Sequence, residues 1–163
     1  MNRVDCPAGQ FEGISEDDCI NFSGIPYATY EKRWGQSQPL SNKLKLKATS
    51  KGMSAPQTRI ENDTLSGPDF FVDNSLEKQS EHCLSLNICS SDLDASNPVM
   101  IWIHGGALVT GGSSSLMYQL NYLAQRGVVV VSINYRLGPL GFLRLTDITN
   151  GEIDSSGNEG LID

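Results

Sequence analysis

Val99-Met100-Ile101-Trp102-Ile103-His104-Gly105-Gly106-Ala107 is the stretch of sequence on which the fold turns. Five apolar residues follow Pro98 without a break and stop at a histidine and a glycine pair. An uninterrupted run of this length predicts a strand buried on both faces, as in a parallel sheet. Val128 to Ile133 is a second such run, too β-branched to prefer helix. Between the two, residues 116–126 place Leu116, Leu120, Leu123 and Ala124 on one helical face. Ser113 to Ser115 stand where they can cap its start, and Gly127 can end it in the left-handed conformation. Strand, helix, strand is a βαβ unit, so the two strands are expected to run parallel with a right-handed crossover.

Outward from this unit the pattern shortens. Phe11, Gly13 and Ile14, then Ile20, Phe22, Gly24, Ile25 and Pro26, alternate with turn residues and read as small antiparallel strands. Residues 35–80 are polar and irregular, broken by Gly52, Pro56, Gly67 and Pro68, and read mostly as loop. Leu84-Ser85-Leu86-Asn87-Ile88 alternates cleanly and predicts a strand. At the far end Gly157-Asn158-Glu159 leads into a helix that the sequence barely begins. The expectation is an α/β chain with a small antiparallel start and a mixed sheet. Its 163 residues would allow one domain on length alone.

Composition narrows the partners. Nineteen acidic residues against 12 basic ones give a formal charge of −7. The one basic cluster, Lys43, Lys45, Lys47 and Lys51, alternates with Leu44 and Leu46 and reads as the solvent face of a strand. A phosphate-binding surface needs more than that, so nucleic acid is not an expected partner. No apolar run approaches a membrane span, and the opening MNRVDCPAGQFEG has no apolar core of a signal peptide. Cys6, Cys19, Cys83 and Cys89 make neither a CxxC pair nor a Cys/His ligand spacing, so no metal is implied. The expected location is the cytoplasm, with four reduced thiols. The N-x-S/T triplets at Asn21 and Asn62 are then chance.

The glycine loop after the first apolar strand carries the chemistry. A glycine pair there can simply make a tight turn. It can also aim successive backbone N–H groups into a cleft, where they hold a developing negative oxygen. Open α/β sheets bind ligands at the C-terminal ends of their strands, which favours the second purpose without excluding the first. A phosphate loop is the competing reading, since Gly106 followed by Gly111-Gly112-Ser113 is one residue short of the Walker A pattern. The missing residue is the lysine that neutralises the β- and γ-phosphates, and Gly112 cannot replace it. Asn134 ends the later apolar strand where a magnesium-binding acid would be needed.

Several ordered segments carry a wider resemblance. VMIWIHGGALVTGGSS, LAQRGVVVVSINYRLGPLGFL and GNEGLID resemble the type-B carboxylesterase and cholinesterase family, especially its para-nitrobenzyl-esterase-like members. Phe22-Ser23-Gly24-Ile25-Pro26-Tyr27-Ala28 is similar to the family's F-x-G-I-P-Y-A, and Ser80 to Asn87 to its S-E-D-C-L-Y-L-N. The resemblance implies an α/β-hydrolase fold, of which residues 1–163 are the N-terminal, incomplete portion. It implies a serine esterase acting on small carboxylic esters, with no cofactor. By the same resemblance Gly106 and Ala107 are oxyanion-hole donors through their backbone N–H groups. Alanine stands for a more usual glycine there, a change compatible with the chemistry if Ala107 keeps φ below zero. His104 and Gly105 are then structural parts of the loop, with His104 tying it through a ring N–H. Arg33 is implied to pair with Glu81, and Arg136 to form a second ion pair with a partner beyond Asp163.

The resemblance has departures. The family's disulfide partner for Cys83 falls at Ala55, so that bridge is lost, and His82 and Ser85 replace an aspartate and a tyrosine. The proline-rich stretch after Ala28 is shortened to Thr29-Tyr30-Glu31. A serine esterase needs its nucleophile on a G-x-S-x-G turn, with a histidine and an acid later in the chain. No serine here is so flanked; Gly52-Met53-Ser54-Ala55-Pro56 comes nearest, with one glycine. The chain is therefore expected to stop before the nucleophile elbow and to be inactive alone. The alternative from another class is a non-catalytic cholinesterase-like adhesion domain of the neuroligin type.

Overall fold

The computed structural model describes residues 2–58, 78–115, 118 and 120–163. Asn62, Gly67 and Pro68, within 59–77, lie outside the described residues, and so do Leu116, Met117 and Gln119 of the expected helix.

Three strands open the chain: β1 (Arg3–Cys6), β2 (Gly9–Glu12) and β3 (Ile14–Glu16). Then come β4 (Cys19–Pro26), the two-residue β5 (Ala28–Thr29) and β6 (Gln38–Pro39), and β7 (Leu44–Lys47). β8 (Ser85–Ser90), β9 (Val99–Ile103) and β10 (Val129–Ile133) supply the rest of the sheet, with helix α1 (Asn121–Ala124) between the last two. Two short helices follow, α2 (Gly138–Phe142) and α3 (Glu159–Ile162).

The main sheet has the order β3-β4-β8-β10-β9, and a smaller one has the order β1-β2-β7. β9 and β10 pair in parallel through Val99↔Val129 to Ile103↔Ile133, while β8 pairs antiparallel with both β10 and β4. The sheet is therefore mixed and contains the βαβ unit that two apolar runs and an intervening helix dictate. In β7 the leucines turn inward and Lys45 and Lys47 face water. Leu44 and Leu46 pack on a core of Phe11, Phe22, Ile25 and Ala48 between the two sheets. Each large side chain so buried contributes about 1.5–3 kcal/mol. A second core gathers Ala55, Cys83, Leu84, Tyr135 and Leu137, and a third Cys19, Cys89, Ala124 and Val130.

Three local expectations are corrected. β9 is not buried on both faces: Val99, Ile101 and Ile103 are 62%, 61% and 64% exposed. These alternate residues share one face of a strand that, among the described residues, has β10 on one flank only. The helix is shorter among the described residues than 116–126, and of its expected apolar stripe Ala124 is buried while Leu123 is exposed. Gly127 does end it with φ +78°. The serines at 113–115 do not cap it, since Leu120 takes the cap position without a side-chain bond.

Ser113 instead joins a buried polar network. β8 packs Leu86 and Ile88 on the core between the two sheets and buries its polar residues Ser85 and Asn87 on the opposite face. Asn87 Nδ2 donates to Ser113 O (3.2 Å), Ser113 Oγ (3.1 Å) and Ser132 Oγ (3.3 Å), and Asn87 Oδ1 accepts from Gly24 N–H (3.0 Å). Ser113 N–H donates to Asn134 Oδ1 at 2.7 Å, and Asn134 Nδ2 donates to Met53 O at 3.1 Å. The side chains of Asn87, Ser113, Ser132 and Asn134 all find partners, which makes their burial tolerable, while Ser114 Oγ beside them is buried without one among the described residues. Nearby, Ser54 N–H donates to Lys78 O (3.0 Å), Ser80 N–H to Ser54 O (2.9 Å) and Gln57 N–H to Gln79 Oε1 (2.9 Å).

Candidate active site

The glycine loop leaves the C-terminal end of β9, where a parallel strand delivers its chain to the sheet's edge. His104 anchors the start. Its ring is buried and stacks on Tyr135, with centroids 4.6 Å apart and planes 17° from parallel. Tyr135 Oη donates to His104 O at 2.9 Å, and His104 Nδ1 lies 2.9 Å from Gly105 O, so Nδ1 carries the proton. Burial pulls the imidazole pKa below its ordinary value, against that bond, and keeps the ring neutral. Its Nε2 has no hydrogen-bond partner among the described residues.

The turn itself spans 106–110. Gly106 O accepts from both Val109 N–H and Thr110 N–H at 3.0 Å. Gly106 has φ +124°, and a Cβ there would come within 1.9 Å of Thr110 O, so no other residue fits. Neither Gly106 N–H nor Ala107 N–H has an acceptor among the described residues, and both residues are exposed. Leu108 O accepts from Gly138 N–H at 2.8 Å, which ties the tip to the start of α2. At its far end Gly111 exchanges two bonds with the Gln57 side chain, each of 2.8 Å.

Ala107 does not meet the condition that the sequence placed on it. Its φ is +53° and that of Leu108 is +62°, two consecutive left-handed residues with side chains. Each costs about 1–2 kcal/mol relative to glycine's freedom, because Cβ crowds a carbonyl oxygen. The bonds to Gly106 O, Leu108 O and Gly111 hold the strained turn in place.

The carboxylesterase family model matches residues 1–163. The chain belongs to the carboxylesterase family. It is 38% identical over 161 residues to the para-nitrobenzyl esterase of Bacillus subtilis (strain 168), covering 95% of this chain and 31% of that protein. It is 39% identical over 142 residues to the phenmedipham hydrolase of Pseudarthrobacter oxydans, covering 83% of this chain and 28% of that protein. A carboxylesterase of Geobacillus stearothermophilus, solved at pH 6.2, superposes with a TM-score of 0.80 at 34% identity, over 99% of this chain and 32% of its own. The fold is that of these carboxylesterases, the α/β-hydrolase fold. The chain spans about a third of the length of the relatives it matches.

Other positions singled out by the carboxylesterase resemblance lie away from the loop. Arg33 and Glu81 form a two-pronged ion pair, Nη2–Oε1 2.6 Å and Nε–Oε2 2.9 Å, on a partly exposed surface. Water and salt screen such a pair, so its contribution to stability is small. Tyr30 Oη donates to Glu81 O, and the Arg136 guanidinium lies 4.3 Å from the centroid of the Tyr30 ring. Arg136 corrects the sequence reading: its partner is Asp163 within this chain, at 2.6 Å. Ala55 and Cys83, the two positions that the resemblance relates to a disulfide, share one buried apolar cluster, and Cys83 is a free thiol.

The sequence reading passed over Gln57 and Tyr135. A glutamine in a polar loop and a tyrosine after a strand carry no local signal; only the fold brings them to the loop. Among the described residues no group of three or more His, Cys, Asp or Glu side chains is placed to hold a metal ion. Among them, too, no helix is long and apolar enough to cross a membrane.

Proposed function

We propose that the complete gene product is a serine carboxylic ester hydrolase, to which this chain gives the oxyanion-hole loop. On this reading residues 1–163 are a portion of one larger α/β-hydrolase domain, in a cytoplasmic protein. A serine elsewhere in the product attacks the ester carbonyl. The N–H groups of Gly106 and Ala107 hold the tetrahedral oxygen as its charge develops, and hydrolysis of the acyl-enzyme completes the cycle. The substrate is a small carboxylic ester, and the mechanism uses no cofactor or metal.

One observation carries the reading. Two successive exposed residues, Gly106 and Ala107, have backbone N–H groups without acceptors among the described residues, at the C-terminal end of a parallel strand and on a turn whose glycine admits no side chain. Successive amides in such a turn form a concavity that suits an anion. Ala107 in the left-handed region keeps its N–H, so the donor is present although the side chain is strained.

An organophosphate probe tests the proposal. The complete product should take one label on a serine flanked as G-x-S-x-G, and the 163-residue polypeptide by itself should take none. A product whose gene substitutes that serine, and which takes no label, would be the adhesion-type relative instead. A label on a serine of residues 1–163 would place the nucleophile where this reading has none.

A further inference from the structure

The far end of the glycine loop is held by a side chain with no partner in the chemistry so far. The Gln57 carboxamide pairs with the Gly111 backbone in both directions. Gly111 N–H donates to Gln57 Oε1 and Gln57 Nε2 donates to Gly111 O, each at 2.8 Å. The remaining Nε2 hydrogen goes to Ala55 O at 3.1 Å. The amide has one workable orientation, because the flipped group would set donor against donor and oxygen against two carbonyls.

Gly111 in turn lies directly on the base of the loop. A Cβ there, at φ +113°, would come within 2.4 Å of His104 Nδ1 and 2.5 Å of Gly105 O. The contacts therefore run without a gap from Gln57 to Gly111, and from Gly111 to the two residues that precede Gly106.

We propose that Gln57 is the positioning residue of this loop: its carboxamide presses the Gly111 backbone against His104 and Gly105, and so sets the direction of the Gly106 and Ala107 N–H groups. The inference rests on the oxyanion-hole reading of the loop. Donors serve that purpose only when held about 2.7–3.1 Å from the developing oxygen. Tyr135 fixes the near end of the loop, Gly138 N–H its tip, and Gln57 its far end. Leucine at 57 would leave both Gly111 groups without partners. Glutamate would accept from Gly111 N–H but face the carbonyls of Gly111 and Ala55 with like charge. Asparagine falls a methylene short.

The test uses the complete gene product, with Gln57→Leu and, should that variant fail to fold, Gln57→Asn. Amide exchange in the peptide spanning 104–112 should quicken by about 10-fold or more, as expected on losing two hydrogen bonds, with exchange in β8 and β10 unchanged. With an activated aryl ester, kcat should fall roughly 10- to 100-fold while KM stays within about twofold, because the displaced donors act in the transition state. A folded variant whose loop exchanges at the wild-type rate overturns the inference, whatever the product's activity. So does faster exchange with kcat unchanged. A wild-type product without esterase turnover defeats the ester-hydrolase reading instead, and the exchange rates alone then decide whether Gln57 holds the loop.

Discussion

Arg136 and Asp163 form an ion pair from which water is wholly excluded. Both side chains are 0% exposed, with Nη2–Oδ1 at 2.6 Å and Nε–Oδ2 at 2.7 Å. Arg136 N–H also donates to Oδ2, and its Nη1 donates to Gly35 O, so the last residue of the chain is joined to the end of β10 and the loop after β5. Burial alone would lower the Arg136 pKa, but the bonds to Asp163 outweigh it and hold the charge.

Removing one partner of such a pair strands the other. Asp163→Ala should destabilise the complete gene product by about 3–5 kcal/mol in urea unfolding. The double variant Arg136→Met, Asp163→Leu should recover much of that loss. A single-variant loss below about 1 kcal/mol would mean that water reaches the guanidinium.

Ala107→Pro deletes the proposed donor and should lower turnover roughly 100-fold or more. Proline also fixes φ near −65° and so cannot keep the +53° that Ala107 adopts, which makes glycine the cleaner probe. Ala107→Gly should keep turnover within about threefold and raise stability by up to ~1 kcal/mol, the relief of strain less glycine's extra freedom when unfolded. Turnover unchanged in the proline variant would remove Ala107 from the site.

His104 gives a pH signature. Its folded pKa lies below the ordinary 6.5 because the ring is buried. Between the folded and unfolded values the unfolded chain binds the extra proton, so stability present above pH 6.5 is lost as pH falls. His104→Phe keeps the stack on Tyr135 and removes the titration. Urea unfolding from pH 7.5 down to 5 should show a slope shallower than wild type by up to ~1.4 kcal/mol per pH unit. Parallel curves would mean that His104 protonates freely in the folded state.

The thiols should label unequally. Cys83 and Cys89 are buried, and desolvation pushes both pKa values up to about 12. Cys6 is half-exposed. Iodoacetamide at pH 8 should alkylate Cys6 first and reach Cys83 and Cys89 only on unfolding. Early modification of Cys83, read by peptide mass, would show that the core around Ala55 opens.

The 163-residue polypeptide expressed by itself should not give a cooperatively melting monomer. β9 has a neighbour on one flank and three side chains more than 60% exposed, the profile of an aggregating edge. A soluble monomer with a sharp thermal transition and slow exchange in 99–103 would contradict this.

The parts legible in the sequence were those fixed by local periodicity. Val99–Ile103 and Val129–Ile133 announced a parallel pair through unbroken apolar runs, and Gly127 announced the end of the helix. What failed depended on neighbours distant in sequence. β8 was a visible strand, but the burial of its polar face was not legible, because Ser132, Ser113 and Gly24, distant in sequence, supply the partners that make a buried Asn87 tolerable. The serines at 113–115 had the composition of a cap, and Ser113 went instead to Asn134 and Asn87. The loop was legible as a glycine turn after the first apolar strand, yet the left-handed Ala107 was not, since the bonds that hold the turn come from residues on either side of it.

The bonds joining 54–57 to 78–80 have an evolutionary consequence. Ser54, Gln57, Lys78, Gln79 and Ser80 hold together two segments that are far apart in sequence, so the seat of Gln57, and through it the glycine loop, depends in part on residues 78–80. In descendants of this gene a change at Gln79, whose side chain accepts from Gln57 N–H, should therefore be matched by a change that re-seats Gln57.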